Sequence, residues 1–319
     1  MLTFEQAMAD VRVAEVPCCD RLPIFKLGED EALVQVTEAV QGGESNAKDD
    51  DFLKHELILA ALIYWLWTNA QEAYGLEEKL TEAAKSNHPS NVSVALDAGQ
   101  HHLDGIVDEK EQKSIGTKIE DAIIAGAAIL GISAETIRGL RSVANLRNGM
   151  TGQVSYYANN YIRRVVTPHM MRAIQAQTSN PSAPVDLLSA IQGGLTTQVK
   201  KNATYWRIVA NQAQGRANHY GILRAAQNRG VLGYRLVAIL DHRTSALCRR
   251  LHGREFWVAD GLDHLERVAS VSPEQVPIVA PWVKADEVKG KSAAELRSLG
   301  VLVPPFHAHC RTTLKPIHK

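Results

Sequence analysis

Apolar residues recur along most of this chain every three or four positions, the period of helices that bury one stripe. Phe52 to Gly75 is the most apolar of these elements, and Asp49 to Asp51 place negative charge at its start, where exposed amides and the macrodipole favour it. Its core, Leu57 to Trp67, has 11 residues between Glu56 and Thr68-Asn69, whereas a bilayer span needs about 20, so a buried helix is expected. Gly99-Gln100 and Gly105 read as breaks, after which Ile115, Ile119, Ala122, Ile123, Gly126 and Ile129-Leu130 predict an amphipathic helix over Lys118 to Leu130. Ser133 opens a helix through about Leu146, with Asn148-Gly149 as its stop. A basic helix from Val154 to about Gln177 follows, kinked at Pro168, and Ser179 to Pro184 is a loop. Asp186 to Gly193 then reads as a short helix, Gly193-Gly194 as a hinge, and Thr196 to Arg229 as a long helix ending at Gly230. On that helix Trp206, Val209, Ala210, Ala213, Ala217, Tyr220 and Leu223 make a core stripe.

The period changes at Gly233 to Leu240, a β-rich run. Glu255 to Val258 and Thr312 to Ile317 are further strands, the last on an edge because Pro316 cannot donate to a ladder. Ser292 and Glu295 form a capping box for a short helix that Gly300 ends. The fold class expected is therefore mainly α, with helical N-terminal and middle regions and a small C-terminal α+β domain. The expected division is an extended arm and linker at 1–50, a helical domain at 51–150, a basic helical region at 151–232 and the α+β domain at 233–319.

Composition fits this picture: 319 residues, 45% apolar and only 6% aromatic, favour packed helices over a sandwich or barrel. A net charge of zero hides an asymmetry. Residues 1–140 carry 11 Lys/Arg against 25 Asp/Glu, residues 141–240 carry 12 against one, and residues 241–319 carry 12 against 9. The basic middle third suits a polyanion or an acidic protein surface, or else the acidic first third of the same chain. Lys200, Lys201, Arg207, Arg216, Arg224 and Arg229, with Tyr205 and Trp206 between them, are candidate contacts to a partner or to DNA phosphates. Without a base-reading motif such contact would be non-specific, and the alternative is an ordinary solvated helix face. Met1 to Glu5 lack the basic flank and apolar core of a secretory signal, so the mature protein is expected to start there, in reducing cytosol. Four cysteines are too few for a disulfide scaffold, and Cys18-Cys19 read as incidental.

Chemistry concentrates near the carboxyl end. Asp241-His242-Arg243-Thr244-Ser245 leads to Cys248 and Gly253, and some fifty residues later comes Pro304-Pro305-Phe306-His307-Ala308-His309-Cys310-Arg311. With the arginine-bearing helix and tyrosine-bearing strand before them, these blocks resemble the phage Mu F-like minor head protein family, the phage head morphogenesis domain, over roughly residues 195–316. The resemblance implies a non-enzymatic virion protein of a tailed double-stranded DNA phage. Such a protein is a minor part of the head interior or portal vertex, bound to the portal and to major capsid or scaffold proteins, and it acts in head morphogenesis and in DNA packaging or ejection. Asp241, Arg243, Thr244, Ser245, Cys248, Gly253, Pro305, His307, Cys310 and Arg311 match the family motif. Thr312 stands where many relatives have Cys or Ser. Some relatives carry fused toxin domains, for which this chain, stopping at Lys319, is expected to have no room.

Read from the residues alone, the blocks admit three roles. Cys248, His307 and Cys310, with Asp241, His252 or His309 as a fourth ligand, suit tetrahedral zinc. A structural role would pair Asp241 with Arg311, cap a helix with Thr244-Ser245, and pack the cysteines as small apolar groups. The last role is catalytic, as a metal-dependent or thiol enzyme with Cys248 or Cys310 as nucleophile and His307 as base, acting toxin-like on nucleic acid or protein.

Overall fold

A computed structural model describes residues 47–179 and 186–317 with a few positions among the first nine; of these, the side chains of 47–55 and 196–201 are left aside. The expected arm and linker, except its end from Ala47, Cys18-Cys19 and most of the 179–184 loop lie outside the described residues. The chain is mainly helical with a small three-stranded antiparallel sheet near its C-terminus. Among the described residues no helix is long and apolar enough to cross a membrane.

The elements run α1 (Ala47–Tyr74), α2 (Leu76–Lys85), α3 (Pro89–Leu103), α4 (Glu109–Ala128), α5 (Ala134–Arg138), α6 (Arg141–Asn159), a π turn (Ile162–Val166), α7 (Thr167–Thr178) and α8 (Leu187–Asn228). Then come β1 (Gly233–Val237), α9 (Ala246–Leu251), β2 (Glu255–Trp257), α10 (Val258–Ser270), α11 (Val276–Val279), a 3-10 turn (Ala285–Val288), α12 (Ala293–Ser298) and β3 (Thr313–Ile317). Packing groups the described chain into two compact units: Ala60–Gln112 with Ser155–Arg207, and Lys113–Val154 with Ile208–Lys319. Their limits fall inside helices and do not coincide with the expected divisions at 150 and 232.

The first unit is centred on aromatic rings. Tyr161 meets Trp67 edge-on with centroids 4.8 Å apart and Trp206 at 4.7 Å, and its hydroxyl donates to Asn202. Each such ring pair adds about 1 kcal/mol beyond its buried area. The expected helix from Val154 to Gln177 is interrupted by the π turn, and Pro168 sits in the first turn of α7, where its missing amide costs nothing. Gln100 serves this interruption, accepting from Arg163 N at 2.7 Å and donating to Asn159 O at 3.2 Å.

Several glycines read as helix breaks lie inside helices instead. A Cβ on Gly99 would meet Leu76 Cδ1 at 2.6 Å, and one on Gly194 would meet Met170 Sδ at 3.0 Å, so α3 and α8 continue through them at close packing points. In the second unit Gly149 lies within α6, where a Cβ would stand 2.1 Å from Ala269 O. Two more mark the crossing of α4 and α8: a Cβ on Gly126 would lie 2.0 Å from Asn218 O, and one on Gly221 would lie 1.9 Å from Ile123 O. Gln214 Nε2 then donates to Lys118 O across the same crossing at 3.1 Å.

The sheet order is β2-β1-β3, with β3 on an edge as Pro316 predicts. Tyr234 pairs with Phe256 on one side and Pro316 on the other. The first strand stops at Val237 rather than Leu240, because Ile239 and Leu240 are exposed and the chain turns toward Asp241. The capping box at Ser292 and Glu295, the cap at Ser133 and the positive-φ stops at Gly230 and Gly300 form as expected.

Replacing Gly221 by Ala should push α4 and α8 apart and lower stability by about 3 kcal/mol. Gly152→Ala, on an exposed face of α6 with no atom within 4 Å of the new methyl, should instead raise stability by about 1 kcal/mol. Urea-unfolding midpoints of the two variants moving in opposite directions is the expected result.

Candidate functional site

The first block is a turn built by its own polar side chains. Asp241 N donates to Thr244 Oγ1 at 2.8 Å and Arg243 N donates to Asp241 Oδ1 at 2.9 Å, local bonds that short polar residues offer a turning backbone. Ser245 follows in extended conformation and caps α9, its Oγ accepting from Cys248 N at 3.2 Å. That cap fixes Cys248 on the first turn of α9, facing inward and buried. Gly253 takes φ 80 in the turn that leads to β2.

The second block is buried from Val301 to Ala308. A polar, buried stretch of backbone needs partners, and α8 supplies them. His219 Nδ1 donates to Pro304 O at 2.9 Å, and Gln212 Nε2, two turns earlier on the same helix, donates to His307 O at 3.1 Å. From β1, Tyr234 Oη donates to Leu302 O at 2.9 Å. His219 and Gln212 were not singled out from the sequence, and Tyr234 entered only as the tyrosine of the strand in the family resemblance. Their signal was there, as hydrogen-bonding groups on an apolar stripe or its border.

The two blocks meet through four residue pairs. Arg311 grips Asp241 with both terminal nitrogens, Nη1 to Oδ2 at 2.9 Å and Nη2 to Oδ1 at 2.6 Å. His307 Nε2 lies 3.0 Å from Ser245 Oγ and 3.1 Å from Cys248 Sγ. Cys248 Sγ and Cys310 Sγ are 3.7 Å apart, both thiols free and buried. Because a carbonyl can only accept, the 2.6 Å contact of His307 Nδ1 with Ala308 O places a ring proton on Nδ1 and leaves Nε2 facing Ser245 and Cys248. A cavity of about 10 Å³, room for one water, adjoins Cys248, His307, Ser245 and Thr312.

The electrostatics follow the contacts. The Arg311 guanidinium, aided by Thr244, holds the Asp241 carboxyl well below the usual carboxylate range. The hydrogen bond from Cys310, with His307 and Ser245 beside it, draws the Cys248 thiol down, while burial pushes Cys310 well up. Cys248 is thus the thiol of the pair that ionises first. Burial pushes His219 down to about 4 against the hydrogen bond to Pro304.

Cys248, His307 and Cys310 come together, their ligand atoms all within 4.8 Å of one another. Asp241, expected as the fourth metal ligand, is not part of that group because Arg311 engages both its oxygens. His252 Nδ1 accepts from Ala238 N instead, and His309 is likewise outside the group. Arg243 is exposed beside the cavity and Pro305 is buried within the second block.

Among the described side chains, the basic residues expected on one face of α8 do not share one open face. Arg216 is buried, Arg224 pairs with Glu266 and donates to Tyr220 Oη at 2.8 Å, and Arg207 is half-buried, because helix and loop segments cover α8 on nearly all sides from Asn202 to Ala226. Arg229 is exposed at its end, and the side chains of Lys200 and Lys201 lie outside those described. No protein-family model, no curated protein and no solved structure matches the chain.

Stability should fall in two stages as the solution is acidified. In the unfolded chain His219 takes its proton near 6.5 but in the fold only near 4, so between those values the unfolded state binds more protons and this group alone costs roughly 2 kcal/mol by pH 5. His264, also held to about 4 by burial, adds to the same stage. Asp241 stabilises the fold above the ordinary carboxylate value and loses that contribution as the pH drops below it toward its depressed folded value. Unfolding free energies from pH 7 to 3 should show His219→Gln flattening the first stage and Asp241→Asn the second.

Proposed function

We propose that this chain is a non-enzymatic, structural minor head protein of a tailed double-stranded DNA phage. It docks on the portal or the inner capsid surface during head morphogenesis, and its C-terminal α+β module holds the chain's end in one conformation. The observation that supports this reading is the convergence of the two blocks on which the family resemblance rests, joined by the paired contacts of Arg311 and Asp241. Residues with no reason to share a motif across a gap of 70 positions acquire one if the motif is a tie between segments. Function then resides in surfaces, with portal and shell or scaffold proteins as partners. DNA contact through Arg216 and Arg224 is not part of the proposal, since those side chains are engaged or buried within the fold.

A thiol-enzyme reading has one observation in its favour, the 3.1 Å approach of Cys248 Sγ to His307 Nε2. Against it, Cys248 is 3% exposed and the adjoining cavity holds no more than a water, so a substrate would need the two blocks to part.

The decisive material is a purified particle. Mass spectrometry of heads should find the chain, deletion of its gene should leave defective heads, and the purified protein should bind portal or shell protein. Absence from heads together with no affinity for either partner would reject the reading. A Cys310→Ala variant that still assembles but loses a chemical activity would transfer support to the enzyme.

A further inference from the structure

We infer that Cys248, His307 and Cys310 form a binding site for a borderline-soft divalent cation, zinc foremost, with a water as fourth ligand. The inference rests on geometry and stands whether or not the chain belongs to a phage head. Two thiolates at the usual zinc–sulfur length of 2.3 Å sit about 3.8 Å apart on the edge of a tetrahedron, and the two sulfurs here are 3.7 Å apart. A sulfur–nitrogen edge of the same tetrahedron is about 3.5 Å, so the 3.1 Å separation of Cys248 Sγ from His307 Nε2 must open by a few tenths of an ångström. The third edge, Cys310 Sγ to His307 Nε2, lies within 4.8 Å and must settle at the same length of about 3.5 Å.

The imidazole is already oriented as a metal ligand requires. Its Nδ1 proton is committed to Ala308 O at 2.6 Å, the second bond that metal-binding histidines make to fix tautomer and ring plane. The remaining nitrogen offers one lone pair, toward which both the Ser245 hydroxyl and the Cys248 thiol point. An ion bound to both Nε2 and the Cys248 thiolate would leave the Ser245 cap on Cys248 N in place.

An independent observation marks the fourth position. Thr312 is 4% exposed, yet its Oγ1 has no hydrogen-bond partner among the described residues, and it lines the cavity of about 10 Å³ beside Cys248 and His307. A buried hydroxyl left unpaired is costly. A water in that cavity, bound to the ion, would hydrogen-bond Thr312 Oγ1. Two sulfurs and an imidazole nitrogen select zinc over magnesium or calcium, which take oxygen ligands. The ion would bridge α9 to the segment 59 to 62 residues later, closing a loop that the unfolded chain leaves open.

The test uses the full chain, purified with thiols reduced and stripped against metal-free buffer. Reloaded with Zn²⁺ it should retain one equivalent by elemental analysis, and chelation should lower Tm by about 5 °C or more. Reloaded with Co²⁺ it should show tetrahedral ligand-field bands and thiolate-to-cobalt charge transfer. Cys248→Ser and Cys310→Ser should each lose both signals, while Cys18→Ser/Cys19→Ser should keep them. Less than a tenth of an equivalent retained by the unmodified chain, a weak octahedral cobalt spectrum, or a Cys248–Cys310 disulfide in place of the ion would each overturn the proposal, and none requires a variant to fold.

Discussion

The C-terminal module depends on a guanidinium–carboxylate pair formed between residues 70 positions apart. Arg311 brings the end of the second block onto the turn of the first, and the planar fork that meets Asp241 with two parallel hydrogen bonds allows one orientation. Both side chains are about two-thirds covered, so removing one partner leaves the other partly desolvated without compensation. Everything around the pair assumes its register. Ser245 must face His307, and Cys248 must face Cys310, for their contacts to exist at all.

That register is prepared from beneath by α8. A helix whose middle is buried on nearly all sides has no solvent-facing stripe to spend on charge, and its polar residues instead satisfy backbone carbonyls of the segment laid across it. Gln212 and His219 do this for the second block, and Gln214 does it for α4. The glycines at the α4–α8 crossing let the two backbones approach closely enough for the Gln214 bond. Helix packing, carbonyl satisfaction and the inter-block pair are thus successive consequences of one buried helix.

Local rules made much of this legible in the sequence. The caps at Ser133 and Ser292, the stops at Gly230 and Gly300, the edge placement of Pro316 and the apolar stripe from Trp206 to Leu223 each follow from short-range chemistry, and each is present. Glycine was where local rules failed. Gly99, Gly149 and the Gly193-Gly194 pair carry the same signal as helix stops, but what decides their role is a neighbouring segment distant in sequence, such as Ala269 against Gly149. Arg216 was placed on an open face of α8 for a similar reason: periodicity identified one buried stripe, whereas burial at Arg216 extends beyond it. At the site, the residue types suggested Cys248, His307 and Cys310 together. Asp241 could not be assigned between metal and Arg311 until the distances were known, since a carboxylate suits either.

A double-mutant cycle on Asp241 and Arg311 measures how strongly the two blocks hold each other. Urea unfolding of Asp241→Asn, Arg311→Met and the double variant should give a coupling energy of about 1–2 kcal/mol, with the double variant little worse than either single one. Additive losses, to within about 0.3 kcal/mol, would mean that the two blocks do not hold each other and would contradict the account.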